Sequence, residues 1–309
     1  MTVIVRDLHP GADADIEGFV RVRHAALPYV YFSRASVLHH LALTPAAARF
    51  RALVADEDGE VVGTAQVGLA HDSPEPGQGW LNLYVDPART RRGAGTLLVR
   101  AAEEHLTAQG ATKLFAWVLD EPGNRAFAEL HGYRASRSGH FLVLDLEHTE
   151  LPPLRKPPAD VELCTAADFA DDPRPLFTLD AEAGSDEPGD IPTEFTDYEA
   201  WIAEYWKHPH LDLELSSVAV ADGRPVAFSV AHTDGAGRYS TGMTGTVREH
   251  RGRGLAKLVK NDSLHRARAA GYTRAYTAND ADNGPMLAVN RWFGYEIHAT
   301  EVRYVREVG

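Results

Sequence analysis

The chain has 309 residues, 44 % hydrophobic and 24 % charged, the balance of an ordinary globular protein with room for about two domains. A net charge of −13 argues against nucleic acid, which is bound by a surplus of Lys and Arg, and favours cationic small molecules such as amines. A single cysteine, Cys164, excludes an intramolecular disulfide framework and a cysteine-based zinc site. No apolar run approaches the roughly 20 residues that cross a bilayer, and the N-terminal segment lacks the pattern of an export leader, so a cytoplasmic protein without a membrane partner is expected.

In chain order, the hydrophobic patterns predict a strand over 3–6, a helix over 13–26, another helix over 44–50 and a hairpin of 52–56 with 61–69. Asp56-Glu57-Asp58-Gly59 is the hairpin turn. A strand over 80–85, an amphipathic helix over 93–109, a strand over 113–119, a short helix over 124–131 and a strand over 140–146 complete a first half. The segment Leu151-Pro152-Pro153-Leu154-Arg155-Lys156-Pro157-Pro158 cannot be helical and reads as an extended linker.

The second half repeats the order. A strand over 161–164, helices over 175–183 and 196–208, and a hairpin of 217–221 with 226–232 turning at Asp222-Gly223 are expected. A strand over 239–247, a helix over 254–270, strands over 274–277 and 298–306, and a helix over 285–293 between those two follow. Meandering strands with helices between them, present twice, indicate a mixed α/β (α+β) fold. The expected domains are 1–150 and 160–309, joined by a linker over 151–159.

Two glycine turns carry the chemistry. Arg251-Gly252-Arg253-Gly254-Leu255-Ala256 follows a strand and opens a helix, and Thr90-Arg91-Arg92-Gly93-Ala94-Gly95 lies 161 positions upstream in the same setting. At that offset Gly93 maps onto Gly254, Leu97 onto Leu258 and Gly110 onto Gly271. Glycines there let successive backbone N–H groups and the helix dipole meet phosphate oxygens, with the arginines adding charge. Neither turn is a Walker A loop or a dinucleotide fingerprint.

Arg251 through Ala256 satisfies every position of the Arg/Gln-x-x-Gly-x-Gly/Ala signature that follows the fourth strand in the GNAT superfamily of acyl-CoA-dependent N-acetyltransferases, which the second half resembles. Thr244-Gly245-Thr246 is similar to the end of that strand, and Asn279 through Asn290 followed by Gly294-Tyr295 is similar to the family's next block. The resemblance covers nearly the whole chain as a tandem pair, in the layout of the two-domain mycothiol-synthase-like members.

It implies two GNAT folds, acetyl-CoA as co-substrate, no metal, and direct attack of a small amine on the thioester. By the same resemblance, the pyrophosphate would lie on Arg251, Gly252, Arg253, Gly254, Leu255 and Ala256, with the pantetheine arm between splayed fourth and fifth strands. Thr246 and Val247 would bind that arm through the backbone and Asn283 through its side chain. Val85, Arg91, Arg92, Gly93, Ala94 and Gly95 form a possible second cofactor site, in a half expected to be degenerate. There Thr90 replaces the leading Arg/Gln, Arg91 a usual glycine, and Glu121 stands opposite Asn283.

Many family members place an acidic tyrosine four residues before the Gly-aromatic pair; here the position holds Asn290, and Ala128 in the first half. Asn290 is expected to donate a hydrogen bond to the sulfur. For the general base, Asp180, Glu182, Asp186 and Asp190 lie on the segment that becomes the acceptor wall, part of it a loop over 184–192, with Glu214 and His232 as alternatives. Trp201 and Tyr205 fall on one helical face, with Tyr198 and Trp206 nearby, as a core or an aromatic wall. The remaining histidines, His39, His40, His208 and His210 among them, lack the spacing of metal ligands. The competing reading is an acyl-CoA-binding module without turnover. A paired fold within one chain favours a monomer over a homodimer.

Overall fold

The structure, a computed structural model, describes residues 2–186, 188–191 and 197–308. Glu187 and Pro192 of the acidic loop, and Thr196 at the start of the following helix, lie outside the described residues. The first half runs β1 (Val3–Asp7), α1 (Asp13–Ala26), α2 (Arg34–Leu43), β2 (Arg51–Glu57), β3 (Glu60–Leu69), β4 (Gln78–Val85), α3 (Ala94–Ala108), β5 (Lys113–Leu119), α4 (Pro122–Leu130) and β6 (Arg134–Asp145). The second runs β7 (Glu162–Thr165), α5 (Arg174–Gly184), α6 (Tyr198–Trp201), β8 (Leu211–Ala221), β9 (Arg224–Thr233), β10 (Arg238–Thr246), α7 (Leu255–Ala269), β11 (Arg274–Asp280), α8 (Gly284–Phe293) and β12 (Glu296–Glu307). The fold is mixed α/β.

Local chemistry accounts for most boundaries. Both hairpins turn on an Asp-Gly pair with positive φ at each residue, 55° and 89° at Asp58-Gly59 and 51° and 73° at Asp222-Gly223, the twist that suits two-residue hairpin loops. The helix expected over 44–50 is a single 3-10 turn, Ala46–Ala48, and the true helix α2 lies upstream. Ser33 caps α2 by accepting from Ser36 N at 3.1 Å, Ser36 Oγ returns the bond to Ser33 N at 3.0 Å, and Pro45 stops the helix.

The chain forms two compact units that do not follow the boundary expected at 150–160. Residues 2–137 with 301–308 make the first, and residues 138–190 with 197–300 the second. Each unit borrows its closing strand from the other half of the sequence. In the first, the order among the described residues is β1-β2-β3-β4-β5-β12, with Glu301 to Glu307 antiparallel to β5. In the second it is β6-β11-β10-β9-β8-β7, with residues 139–145 of β6 antiparallel to β11. Burial explains the exchange: Leu142, Leu144 and Leu146 enter the core of the second unit beside Tyr239 and Leu264, while Tyr304 enters that of the first beside Leu98 and Leu114. Each such leucine is worth about 1.5–3 kcal/mol when fully buried. The proline segment is not a free linker. Asn261 on α7 accepts from Arg155 N at 3.1 Å and donates to Pro152 O at 3.0 Å, and Leu151 is buried in the same core.

In both units the central parallel pair opens into a wedge. β4 and β5 share register only from Gln78↔Lys113 to Trp80↔Phe115, and β10 and β11 only from Arg238↔Arg274 to Ser240↔Tyr276. Beyond those points the facing backbone edges of all four strands run on without pairing to each other.

Candidate active site

Both glycine turns build the same backbone cradle. Gly252 and Gly254 each have φ of 77°, and the equivalent Arg91 and Gly93 have 65° and 92°. Arg91 therefore holds a left-handed conformation that costs a non-glycine residue about 1–2 kcal/mol. Gly93 and Gly254 are the N-caps of α3 and α7, so each turn aims helix N–H groups outward. Ala94 and Leu255 are buried beneath the turns, while Arg92, Arg251, Gly252 and Arg253 are exposed and Gly95 and Ala256 half-buried.

The arginines do not stand free over the cradles. Arg251 Nη2 meets Asp186 at 2.6 Å and its Nε donates to Thr246 O at 3.0 Å; Arg253 Nη2 is bidentate on Asp160 at 2.7 Å. In the first unit Arg89 and Arg92 both reach Glu57, at 2.8 and 3.4 Å. The solvent-exposed pairs of Arg251 and Arg253 are worth at most about 1 kcal/mol each, so an incoming anion displaces them at little cost, whereas Glu57 is buried. A further cation comes from the proline segment: the Arg155 guanidinium lies 3.7 Å from where a Cβ at Gly254 would sit.

The units differ in the sheet beside the cradle. In the second, Thr241 pairs with Ala231 and Thr244 with Ser229, so Gly242 and Met243 together oppose Val230 as a β-bulge. On the other edge of β9, pairing with β8 jumps from Asp212↔Ala231 to Ser217↔Ser229, which frees residues 213–216, Glu214 among them. Both breaks centre on Val230. The first unit has neither at the matching place: β3 and β4 pair without interruption from Gly63↔Val85 to Leu69↔Gly79, and β2 and β3 from Arg51↔Val67 to Ala55↔Gly63, their one shift falling beside the hairpin turn. Its wedge is instead bridged by Asn82 Oδ1, which accepts from Trp117 N at 3.4 Å, two residues past the last register pair. The corresponding link in the second unit, Thr277 Oγ1 to Thr241 O at 3.4 Å, lies only one residue past it.

Asp86 N and Val247 N close the two strands in the same way, on Val62 O and Val226 O, so Tyr84 and Gly245 are equivalent. Tyr84 is covered by the Arg23 guanidinium, 4.6 Å from its ring, whereas a Cβ at Gly245 would lie 2.5 Å from the Ala183 Cβ of α5.

The acids expected on the acceptor wall are mostly engaged elsewhere. Asp180 is buried and accepts from Trp201 Nε1 at 2.8 Å; burial pushes its carboxyl up, and the indole bond opposes this in part. Glu182 accepts from Arg248 N at 2.7 Å. Asp186 is held down at about 2 by its bonds to Arg248 and then Arg251, so it braces the cradle rather than facing the acceptor. Asp190 is half-buried and Glu214 exposed.

The aromatic pairing also changes. Residues after α6 form a π-helical turn, Ile202–Trp206, in which Lys207 N bonds Ile202 O. The extra residue per turn brings Trp206, not Tyr205, onto Trp201, with ring centroids 5.8 Å apart, and leaves Tyr205 39 % exposed. Phe177 and Tyr198 join the same cluster.

His232 packs its Cε1 2.9 Å from where a Cβ at Gly242 would be, directly against the bulge, with His208 meeting it edge-on at 5.4 Å between ring centroids. Burial, then the nearby His210, pushes His232 down to about 4, so it is neutral at neutral pH. In the unfolded chain it titrates near 6.5, so the unfolded state takes up a proton that the folded state refuses. The stability contributed is complete above pH 6.5 and is lost as pH falls toward about 4. The loss amounts to about 3 kcal/mol at most. Thermal melts of a His232→Gln variant are expected to show a shallower decline over that window than the wild type; parallel curves would refute the assignment.

Asn290 does not reach an open cleft. It is fully buried, its Oδ1 accepting from Lys260 Nζ at 2.6 Å and its Nδ2 donating to Asn279 Oδ1 at 2.6 Å. Asn283 is the N-cap of α8, its Oδ1 accepting from Met286 N at 3.2 Å; Glu121, the N-cap of α4, makes no such bond. Val85, Thr246 and Val247 border the cradles as half-buried strand ends, and Thr246 Oγ1 is buried without a hydrogen-bond partner.

Lys260 was not singled out from the sequence, and Asn279 and Arg155 stood there only within longer segments, with no role of their own. A signal for the first was present: Lys260, Leu264 and Ala267 share the buried stripe of α7, where a lysine is out of place. Among the described residues no group of three or more His, Cys, Asp or Glu side chains is set to hold a metal, and no helix is long and apolar enough to cross a membrane.

Comparison with known proteins identifies the family. The chain matches the family described as "Acetyltransferase (GNAT) family" over residues 20–133 and again over 175–295. It is 30 % identical to a mycothiol acetyltransferase of Nocardia farcinica over 84 % of this chain and 83 % of that protein. It is 28 % identical to another from Clavibacter michiganensis over 83 % of each. In fold it is similar to a tandem GNAT protein from the clavulanic acid biosynthesis pathway, with a TM-score of 0.75, 22 % identity, and coverage of 100 % and 99 % of the two chains. A GCN5-related N-acetyltransferase from Sphaerobacter thermophilus gives a TM-score of 0.73 at 22 % identity, over 99 % and 95 %.

Proposed function

The chain belongs to the acetyltransferase (GNAT) family and transfers the acetyl group of acetyl-CoA to an amine, and we propose that the second unit carries out this reaction on a small-molecule acceptor. The observation that carries the reading is the pair of breaks at Val230 beside an intact glycine cradle, a combination absent from the first unit.

The residues fit the substrate. The N–H groups of the turn from Gly252 to Ala256 receive the pyrophosphate, with Arg251, Arg253 and Arg155 as exchangeable cations. The unpaired edge of β10 beyond Ser240 binds the pantetheine arm, and the orphaned Thr246 Oγ1 supplies a further polar contact. Asn283 uses its Oδ1 to cap α8 and keeps its amide N–H groups for the same arm. At Gly242 and Met243 the bulge turns a backbone N–H out of the ladder, toward the thioester oxygen. The amine nitrogen attacks the carbonyl carbon, a C–N bond forms as the C–S bond breaks, and the electron pair leaves on sulfur as thiolate. Glu214, exposed in the freed segment of β8, takes the ammonium proton directly or through water.

The acceptor lies against the wall of Trp206, Trp201 and Tyr198. A mycothiol-related amine is proposed, on the relatives' shared activity and their coverage of 83 % of this chain or more. The first unit is proposed to be non-catalytic: Asn82 bridges its wedge, and β4 pairs with β3 without a bulge.

Thiol release from acetyl-CoA across an amine panel containing mycothiol-related and polyamine acceptors tests the reading. Turnover that falls at least about 10²-fold in Glu214→Gln is expected; binding of acetyl-CoA with no thiol release for any amine would sink it.

A further inference from the structure

We infer that Lys260 is a positioning residue for the acyl donor: acting through Asn290, it turns the Asn279 amide so that its N–H groups face a carbonyl of the pantetheine arm in the wedge between β10 and β11. The inference rests on the donor lying in the second unit.

Lys260 is fully buried on α7. The side chains that face it are Asn290 from α8, at 2.6 Å, and the Tyr295 ring, 4.9 Å from Nζ. Burial raises the phenols of Tyr295 and of its electrostatic neighbour Tyr239 on β10, so neither carries charge near neutrality. No carboxylate is paired with the lysine among the described residues. A buried ammonium without a counterion costs several kcal/mol, so stability gives no reason for a lysine here. Its geometry does.

An ammonium has three donors and no acceptor, so Asn290 must turn its Oδ1 toward Lys260. Its Nδ2 then faces Asn279, at 2.6 Å, and two amide N–H groups cannot face each other, so Asn279 must turn its Oδ1 inward. The orientation of both amides, ordinarily ambiguous between oxygen and nitrogen, is thereby decided by one cation. The chain of bonds is polar in one direction, and it ends in the two N–H donors of Asn279.

Asn279 sits where a ligand would meet those donors. It is half-buried on β11, three residues beyond Tyr276, the last position of β11 in register with β10. On one side β11 is paired at this level with β6, Asn279 standing opposite His140, and the backbone edge of β11 left unpaired is the one that borders the wedge. A donor held there by a chain that starts at a charge binds a carbonyl more strongly than an isolated amide does.

Binding of acetyl-CoA is measured by calorimetry below the pH of about 7 to which burial brings the lysine. Lys260→Met is expected to raise Kd roughly tenfold while the thermal midpoint stays level or rises, because a buried unpaired charge is removed. A lysine with a merely structural role would lower the midpoint instead. Asn279→Leu, on a half-buried strand position, is expected to give the same loss of binding, and the double variant no further loss. An unchanged Kd in Lys260→Met, or fully additive losses, would overturn the inference. Gly254→Asp separates this from the broader reading. If it leaves Kd unchanged, the donor is not in the second unit and both fail; if it abolishes binding while Lys260→Met does not weaken it, only the role of Lys260 fails.

Discussion

Gly254→Asp is expected to abolish acetyl-CoA binding and turnover, by at least about 10³-fold, whereas Gly93→Asp changes either by less than about twofold. At Gly254 the φ of 77° already strains any side chain, and the new carboxylate would stand at the N-terminus of α7, in front of the phosphates. The separation of charge from backbone strain comes from Gly254→Asn, which adopts the same left-handed geometry without the negative charge and should retain most binding. Calorimetry with acetyl-CoA and a thiol-release assay read both effects, with melting curves to confirm that the fold survives. Equal losses from the changes at Gly93 and Gly254 would mean that the two cradles share the work.

The second large effect belongs to the bulge. Deleting Met243 restores one-to-one pairing of β10 with β9, the arrangement that β4 and β3 already have. Because the first unit shows that this regular pairing is compatible with the fold, the variant should remain folded. Turnover should nevertheless fall by about 10²–10³-fold, the cost of removing one oxyanion donor, while acetyl-CoA binding at the cradle is largely kept. A variant that turns over normally would show that the N–H freed at Gly242 and Met243 takes no part in the reaction.

These two expectations come from different levels of information. The cradle was legible residue by residue: the glycines at 252 and 254 and the 161-residue offset to Gly93 stand in the sequence, and the backbone takes the conformation they permit. Even the departure at Arg91 was visible, although not that it adopts φ of 65° and so preserves the turn. The bulge was not legible. It adds one residue to β10 relative to β4, and a single insertion within a short strand resembles ordinary drift until the pairing of β9 on both sides is known.

The acidic residues illustrate a second limit. Asp180, Glu182 and Asp186 read as an acceptor-facing group because they share a segment, yet each has a different partner: Trp201, the Arg248 backbone and the Arg248–Arg251 pair. Asn290 was correctly placed on α8 but expected to face the sulfur; its amide is engaged by Lys260 and Asn279, contacts between positions 30 and 11 residues away.

By itself, the sequence determined what depends on neighbours along the chain. It specified most of the elements from their periodicity, α2 excepted, together with the two Asp-Gly hairpins, the paired cradles and hence the family, because backbone conformation and motif spacing are local properties. Only the tertiary structure decided which strand closes each unit, where the sheet breaks open, and which side chains the cleft leaves unpaired. Those outcomes depend on the competition of distant side chains for the same burial and the same hydrogen bonds. Leu142 and Leu144 settle in one core and Tyr304 in another, and a lysine on α7 orients an asparagine on β11, for reasons that no window of sequence contains.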